Sequence, residues 1–283
     1  MKKIWIIARM TFREAVRRRI VLTGLILGIC FLLIFSIGFH MIYVNATHPS
    51  PDIPQVAQRL AEAEGVNFVT LAGLYAVTFL SVAMGALLGA DTLAGEINSG
   101  TIQTIVTKPV KRSDVVLGKW LGFAGLLVFY SLLMSGGTVL SVFIQARYSP
   151  PNLLAGLVLI YLEALLIMTV SLACSSAMPG LATGGVVFGL YGLGFIGGWI
   201  EQIGAVLHYT TAVKVGIVTS LIIPSEALWR RASFEMQTPL AAALGISPLG
   251  AISVPSILMV VYAIVYLVLA LTAAVNIFQN RDL

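Results

Sequence analysis

Charge is what this 283-residue chain has least of: Asp, Glu, Lys and Arg make up 10% of it, against 58% apolar residues. A soluble domain is nearer one quarter charged, so this inventory cannot cover a water-facing surface, and a soluble enzyme is excluded. So are a disordered chain and a coiled coil, both of which are rich in charge. Cysteine is nearly missing. Cys30 and Cys174 fall in separate apolar runs, which excludes a disulfide scaffold and reads as small buried hydrophobes. His40, His48 and His208 are isolated, without metal-ligand spacing, so no metal site is expected.

Long apolar runs are what the chain does have. A helix needs about 20 apolar residues to cross the hydrocarbon layer. Six stretches qualify: 20–44, 67–90, 120–144, 153–177, 181–200 and 255–278, and Glu163 is the only one of the 29 charged residues inside them. Backbone groups find no water in lipid, and runs this long without two-residue alternation are helices. The basic start also fits a signal peptide. However, a run of 25 residues is too long for an h-region and no small-x-small site closes it, so it reads as a retained span. The expectation is an all-α polytopic membrane protein with six transmembrane helices in one domain, 1–283.

Lysine and arginine set the orientation. With the N-terminus in the cytoplasm, the inner segments carry 12 basic residues in 56, and the outer segments 45–66, 145–152 and 201–254 carry 5 in 84. Both termini are therefore expected inside. The net charge of +5 describes a face toward anionic lipid, not nucleic acid, because the basic residues are not interleaved with aromatics on a soluble surface.

Residues 2–19 read as an interfacial amphipathic helix, with Arg9, Arg13 and Arg17 on one face and Trp5, Ala8, Phe12, Ala15 and Val16 on its neighbour. In the outer loop, 56–63 is long enough for one or two helical turns. The apolar stretch 212–223 is too short to cross and ends at Pro224, which suggests a re-entrant or interfacial helix. A second helix is expected after Pro224, capped by Ser225, with Trp229, Arg230 and Arg231 at the headgroups. Glycine pairs four apart (24/28, 85/89, 180/184, 185/189, 194/198) predict close helix approach, above all around the fifth span.

Two nucleotide-like patterns fail. Gly192, Gly194 and Gly197 match GxGxxG but sit mid-span with no strand before them. The stretch from Gly95 to Thr101 resembles a phosphate loop without its lysine, so ATP hydrolysis by this chain alone is not expected. Glu163 stands at mid-depth, where a charge costs about 2.5–3.5 kcal/mol on insertion scales. It either lines a cavity or translocation path, or is a buried carboxyl bonded to a hydroxyl of another span.

The loop 91–119 is short and mixes charge with an apolar set at Ile102, Ile105 and Val106, which Pro109 ends. Ser113 is expected to cap the third span, with Asp114 in its first turn. The order Glu96, Gly100-Thr101, an apolar turn from Ile102, Pro109-Val110-Lys111-Arg112, Ser113 and Lys119 resembles the type-2 ATP-binding-cassette (ABC) exporter permeases. Within them, it is most similar to permeases of the multicopper-enzyme and nitrous-oxide-reductase maturation group. Thr107-Lys108 departs from the pattern, where apolar residues are common.

That resemblance implies a multi-pass permease of the bacterial inner membrane, not itself an enzyme. It implies a separate cytoplasmic ATPase that holds ATP and Mg, and a second permease copy, identical or not. Membrane lipids and an extracytoplasmic accessory protein complete the expected partners. Glu96, Gly100, Thr101, Ile102, Pro109 and Arg112 would couple the spans to the ATPase, with no cofactor on this chain. The alternative is an ion-driven carrier or a non-transporting assembly scaffold. A carrier would show inverted repeats and broken helices with paired charges.

Overall fold

The computed structural model describes residues 2–46, 54–90, 92, 95, 111–244 and 253–280; among them the chain is helical and holds no strand. A short helix, α1 (Lys2–Val16), precedes α2 (Arg19–Ala46), α3 (Gln55–Ala90), α4 (Arg112–Ala146), α5 (Leu153–Ala177) and α6 (Gly180–Val206). Then come α7 (Thr210–Ile222), α8 (Ser225–Met236), α9 (Pro239–Leu244) and α10 (Ile257–Asn280). Six of these, α2 to α6 and α10, are long and apolar enough to cross a membrane.

α5 is the centre of the bundle. It touches α3, α4, α6, α8 and α10. In its most apolar window 61% of residues are buried, against 11% for α2 and 17% for α10. The outer helices therefore turn most of their apolar surface away from the chain. Leu71, Leu74 and Val77 of α3, Leu127 and Met134 of α4, and Leu166, Ile167 and Met168 of α5 fill the middle without exposure. In lipid the drive for such contact is close packing, and glycine supplies it. A Cβ on Gly85 would stand 2.8 Å from the Ala164 carbonyl oxygen, and one on Gly89 2.6 Å from the Ser171 Cβ. Phe31, Phe35, Phe39 and Tyr43 repeat every fourth residue along α2 and stack with centroids 5.9–6.1 Å apart. The ring of Phe35 fills the space over Gly73.

Hydroxyls inside the bundle bond within their own helix or tie two helices. Thr78 and Thr138 donate to carbonyls one turn back, at 2.9 and 3.0 Å. Ser171 Oγ donates to the Ala86 carbonyl at 2.6 Å, and Trp120 Nε1 to Thr169 Oγ1 at 2.8 Å.

Several boundaries differ from expectation. α3 has 36 residues and α4 has 35, so the proposed turns at 56–63 and the loop residues 112–119 are continuous with spans. At about 1.5 Å per residue both helices outrun a hydrocarbon layer of about 30 Å. Counting apolar residues finds the lipid-facing length, whereas the helix continues until its backbone pattern is broken. Lys111, not Ser113, holds the N-cap of α4, and Pro224, not Ser225, holds that of α8, with no side-chain cap bond at either. The interfacial face of α1 is split: Ala8 and Ala15 are buried but Trp5 is 71% exposed. The cause is α4, whose Gly118 and Gly122 receive Ile7, Ala8 and Thr11 instead.

A buried polar cluster as candidate functional site

The second half of α6 is cut for close contact. A Cβ on Gly194 would meet Ile223 Cγ2 at 2.8 Å, and one on Gly198 would run into the Glu226 side chain. Gly216 of α7 lies equally close to the Gly197 carbonyl, 2.7 Å from its would-be Cβ. These gaps let α7 and α8 lie along α6 as a pair bent by 108° at Ile223 and Pro224. Proline lacks the N–H that would continue the helix. The glycine expectation therefore holds for 194 and 198, but Gly184, Gly185 and Gly189 have nothing within 4 Å of a would-be Cβ. Those glycines lie on a part of α6 that none of the described residues covers.

The bend brings the first turns of α8 into the bundle, and charge comes with them. Arg230 Nη1 meets Glu201 Oε1 of α6 at 2.6 Å, with 2% and 5% of the two side chains exposed. Ser253 Oγ donates to the same Glu201 oxygen at 2.7 Å, and Arg230 Nη2 donates to Ser220 Oγ at 3.2 Å. One turn earlier, Tyr75 of α3 donates its hydroxyl to Glu226 Oε1 at 3.2 Å. That hydroxyl in turn accepts from Trp199 Nε1 at 3.3 Å, and the Tyr75 and Trp229 rings lie 4.7 Å apart.

Glu163 completes the cluster from α5. It is wholly buried, and neither carboxylate oxygen has a hydrogen-bond partner among the described residues. Among the described residues no hydroxyl reaches Glu163, so its buried carboxyl is not held by the hydroxyl bond that the alternative reading supposes. Beside the cluster, Tyr75 and Tyr191 form part of the wall of a 570 Å³ groove that also carries Leu27, Cys30, Phe31, Phe79 and Phe195.

The cluster was invisible in the sequence apart from Glu163. Glu201 stands one residue past the fifth apolar run, and the sequence reading sets Trp229 and Arg230 at the headgroups. Trp229 and Arg230 are each 2% exposed, so that assignment is corrected. The available signal was the Glu226–Arg230 spacing of four behind a proline, which sets both on one face of a helix.

The expected coupling residues are divided. Glu96, Gly100, Thr101, Ile102 and Pro109 lie outside the described residues. Arg112 opens α4, and its Nη1 donates to the carbonyl oxygen of Gln279 at 3.1 Å, one residue from the end of α10. A cation there meets the negative end of that helix.

Six spans, a bent helix pair and a basic amphipathic helix at the start are the architecture of a membrane permease. The chain belongs to the ABC-2 family of transporter proteins, whose pattern it matches over residues 5–283, and so is an ABC transporter permease with a multi-pass membrane body. Among curated proteins it is 28% identical over 143 residues to the "Probable ABC transporter permease protein NosY" of Pseudomonas aeruginosa. That match covers 50% of this chain and 46% of the relative, so the chain spans about half the length of the curated protein it matches.

Proposed function

We propose that this chain is the membrane half of an exporter driven by a separate cytoplasmic ATPase, which holds the ATP and Mg. Family membership across residues 5–283 carries this reading. Both termini face the cytoplasm, in keeping with the excess of lysine and arginine there, in a bacterial inner membrane. The loop 91–119 is the contact with the ATPase, through Glu96, Gly100, Thr101, Ile102, Pro109 and Arg112. The Arg112 bond to Gln279 supports this, since it ties the loop's end to the last span. A second permease copy packs against the outer helices, in keeping with the apolar surface that α2 and α10 leave uncovered. Lipids and an extracytoplasmic accessory protein complete the assembly.

Glu163 and the cluster around it belong to the translocation path, because an ionisable group this deep is retained for work on a substrate or ion. A broken helix with a buried charge pair would also suit an ion-driven carrier, and family membership favours the ABC reading over it.

The test is affinity capture of the full chain from mild detergent, followed by mass spectrometry. A stoichiometric soluble ATPase with phosphate-loop and signature motifs is the expected result. Capture without any ATPase, or full activity beside a hydrolysis-dead ATPase, would overturn the proposal.

A further inference from the structure

The groove and the acids behind it point to a ligand class. Three carboxylates, Glu163, Glu201 and Glu226, share the cluster with one guanidinium, Arg230, and that guanidinium is already engaged with Glu201 at 2.6 Å. Glu163 keeps both oxygens unbonded at zero exposure. Among the described residues the cluster thus holds three acids and one guanidinium, at a depth where unbalanced negative charge is poorly solvated. Tyr75 connects them to the groove: its ring is part of the wall and its hydroxyl is on Glu226. Phe31, Phe79, Tyr191 and Phe195 surround it. Aromatic faces attract cations, and more strongly where water is absent.

We propose that the groove between α2, α3 and α6 is a binding site for a hydrophobic organic cation, an amine, quaternary ammonium or phosphonium compound. The apolar body lies against Leu27, Phe31 and Phe79, and the positive centre lies against Tyr75, behind which stand Glu226, bonded to the Tyr75 hydroxyl, and the buried Glu163. The class follows from charge complementarity. An anion would be repelled by the cluster, and an acyl chain would leave the acids as they are. This rests on the permease reading, for which it names a substrate class.

Cys30 lies in the groove wall and serves as a native reporter. The full chain carrying Cys174→Ala is placed in nanodiscs without any ATPase, and alkylation of Cys30 by N-ethylmaleimide is timed. Tetraphenylphosphonium and tetraphenylborate, similar in size and opposite in charge, are compared at matched membrane concentrations. Protection of at least tenfold by the phosphonium and not by the borate is the expected result. Equal protection by both marks a plain lipid groove, and protection by neither marks an empty one; either overturns the proposal. Should Cys30 prove unreactive, because a thiol kept protonated in hydrocarbon alkylates slowly, tetraphenylphosphonium binding to the same nanodiscs is read by equilibrium dialysis, and binding no tighter than to protein-free discs overturns the proposal.

Glu226→Gln, which keeps the shape, should lose the protection while its unliganded alkylation rate and gel-filtration profile stay unchanged. Retained protection in that variant also overturns the proposal. Should Glu226→Gln not fold, Tyr75→Phe replaces it, with at least a threefold weakening expected. Failure here with an ATPase still captured would remove the ligand class and leave the permease reading standing.

Discussion

Arg230 and Glu201 form an ion pair at 2.6 Å that joins α8 to α6 with almost no exposure of either side chain. Removing one member of a buried pair strands the other charge, at a cost of about 3–5 kcal/mol, whereas removing both is often tolerated. Arg230→Met alone should therefore lower the thermal unfolding midpoint sharply, and Glu201→Gln with Arg230→Met should recover most of it. Unfolding of the purified chain in detergent, followed by tryptophan fluorescence, reads the difference. If the double variant is as unstable as the single, the pair is not what holds the bent helices.

Glycines of α6 should divide by position along the helix. Gly198→Ala drives a methyl into the Glu226 side chain, and Gly194→Ala into Ile223. Each should destabilise the fold by about 1–3 kcal/mol, the usual range for overpacking. Gly185→Ala and Gly189→Ala face open space and should be neutral, or stabilising by up to about 1 kcal/mol through helix propensity. The same unfolding assay covers all four. Equal losses at 185 and 198 would mean that the open part of α6 is covered in the folded protein.

The contrast also marks how far the sequence could be read. Hydropathy located the six spans within a few residues at the lipid-facing ends, because lipid demands apolar surface whatever the packing. It missed the helical ends at 55–66, 112–119 and 201–206, where polar residues carry on with the same backbone bonds. It placed Glu163 but not its neighbours. Glu226 and Arg230 look like surface residues until Pro224 folds them back onto α6, and nothing local announces that partner. Glycine spacing named the helix that would pack closely without saying which of its glycines would be covered.

Arg112 and the last span give a prediction about coupling. The Arg112 bond to the Gln279 carbonyl is exposed, so its loss should cost the fold at most about 1 kcal/mol. If the loop passes motion to the spans, Arg112→Glu and Glu96→Lys should assemble normally with the ATPase yet fail to show substrate-stimulated hydrolysis. Size-exclusion chromatography measures assembly, and phosphate release from the reconstituted complex measures stimulation. Normal stimulation in both variants would remove these residues from the coupling role.

Orientation makes the last prediction, and it bears on all the others. Basic residues are densest just before the first span, and insertion follows that asymmetry. The N-terminal extension of α3 then stands outside the membrane, with Arg59 on its exposed side, and Lys111 stands inside at the start of α4. In a chain without native cysteines, Arg59→Cys should react with an impermeant maleimide on intact cells, and Lys111→Cys only after the membrane is opened. The reverse pattern would put the loop 91–119 outside. A cytoplasmic ATPase could not reach it there, and both Glu96 and Arg112 would lose their proposed partner. Labelling of both from outside would mean that an even number of crossings, or none, separates the two sites, contrary to a single pass of α3 between them.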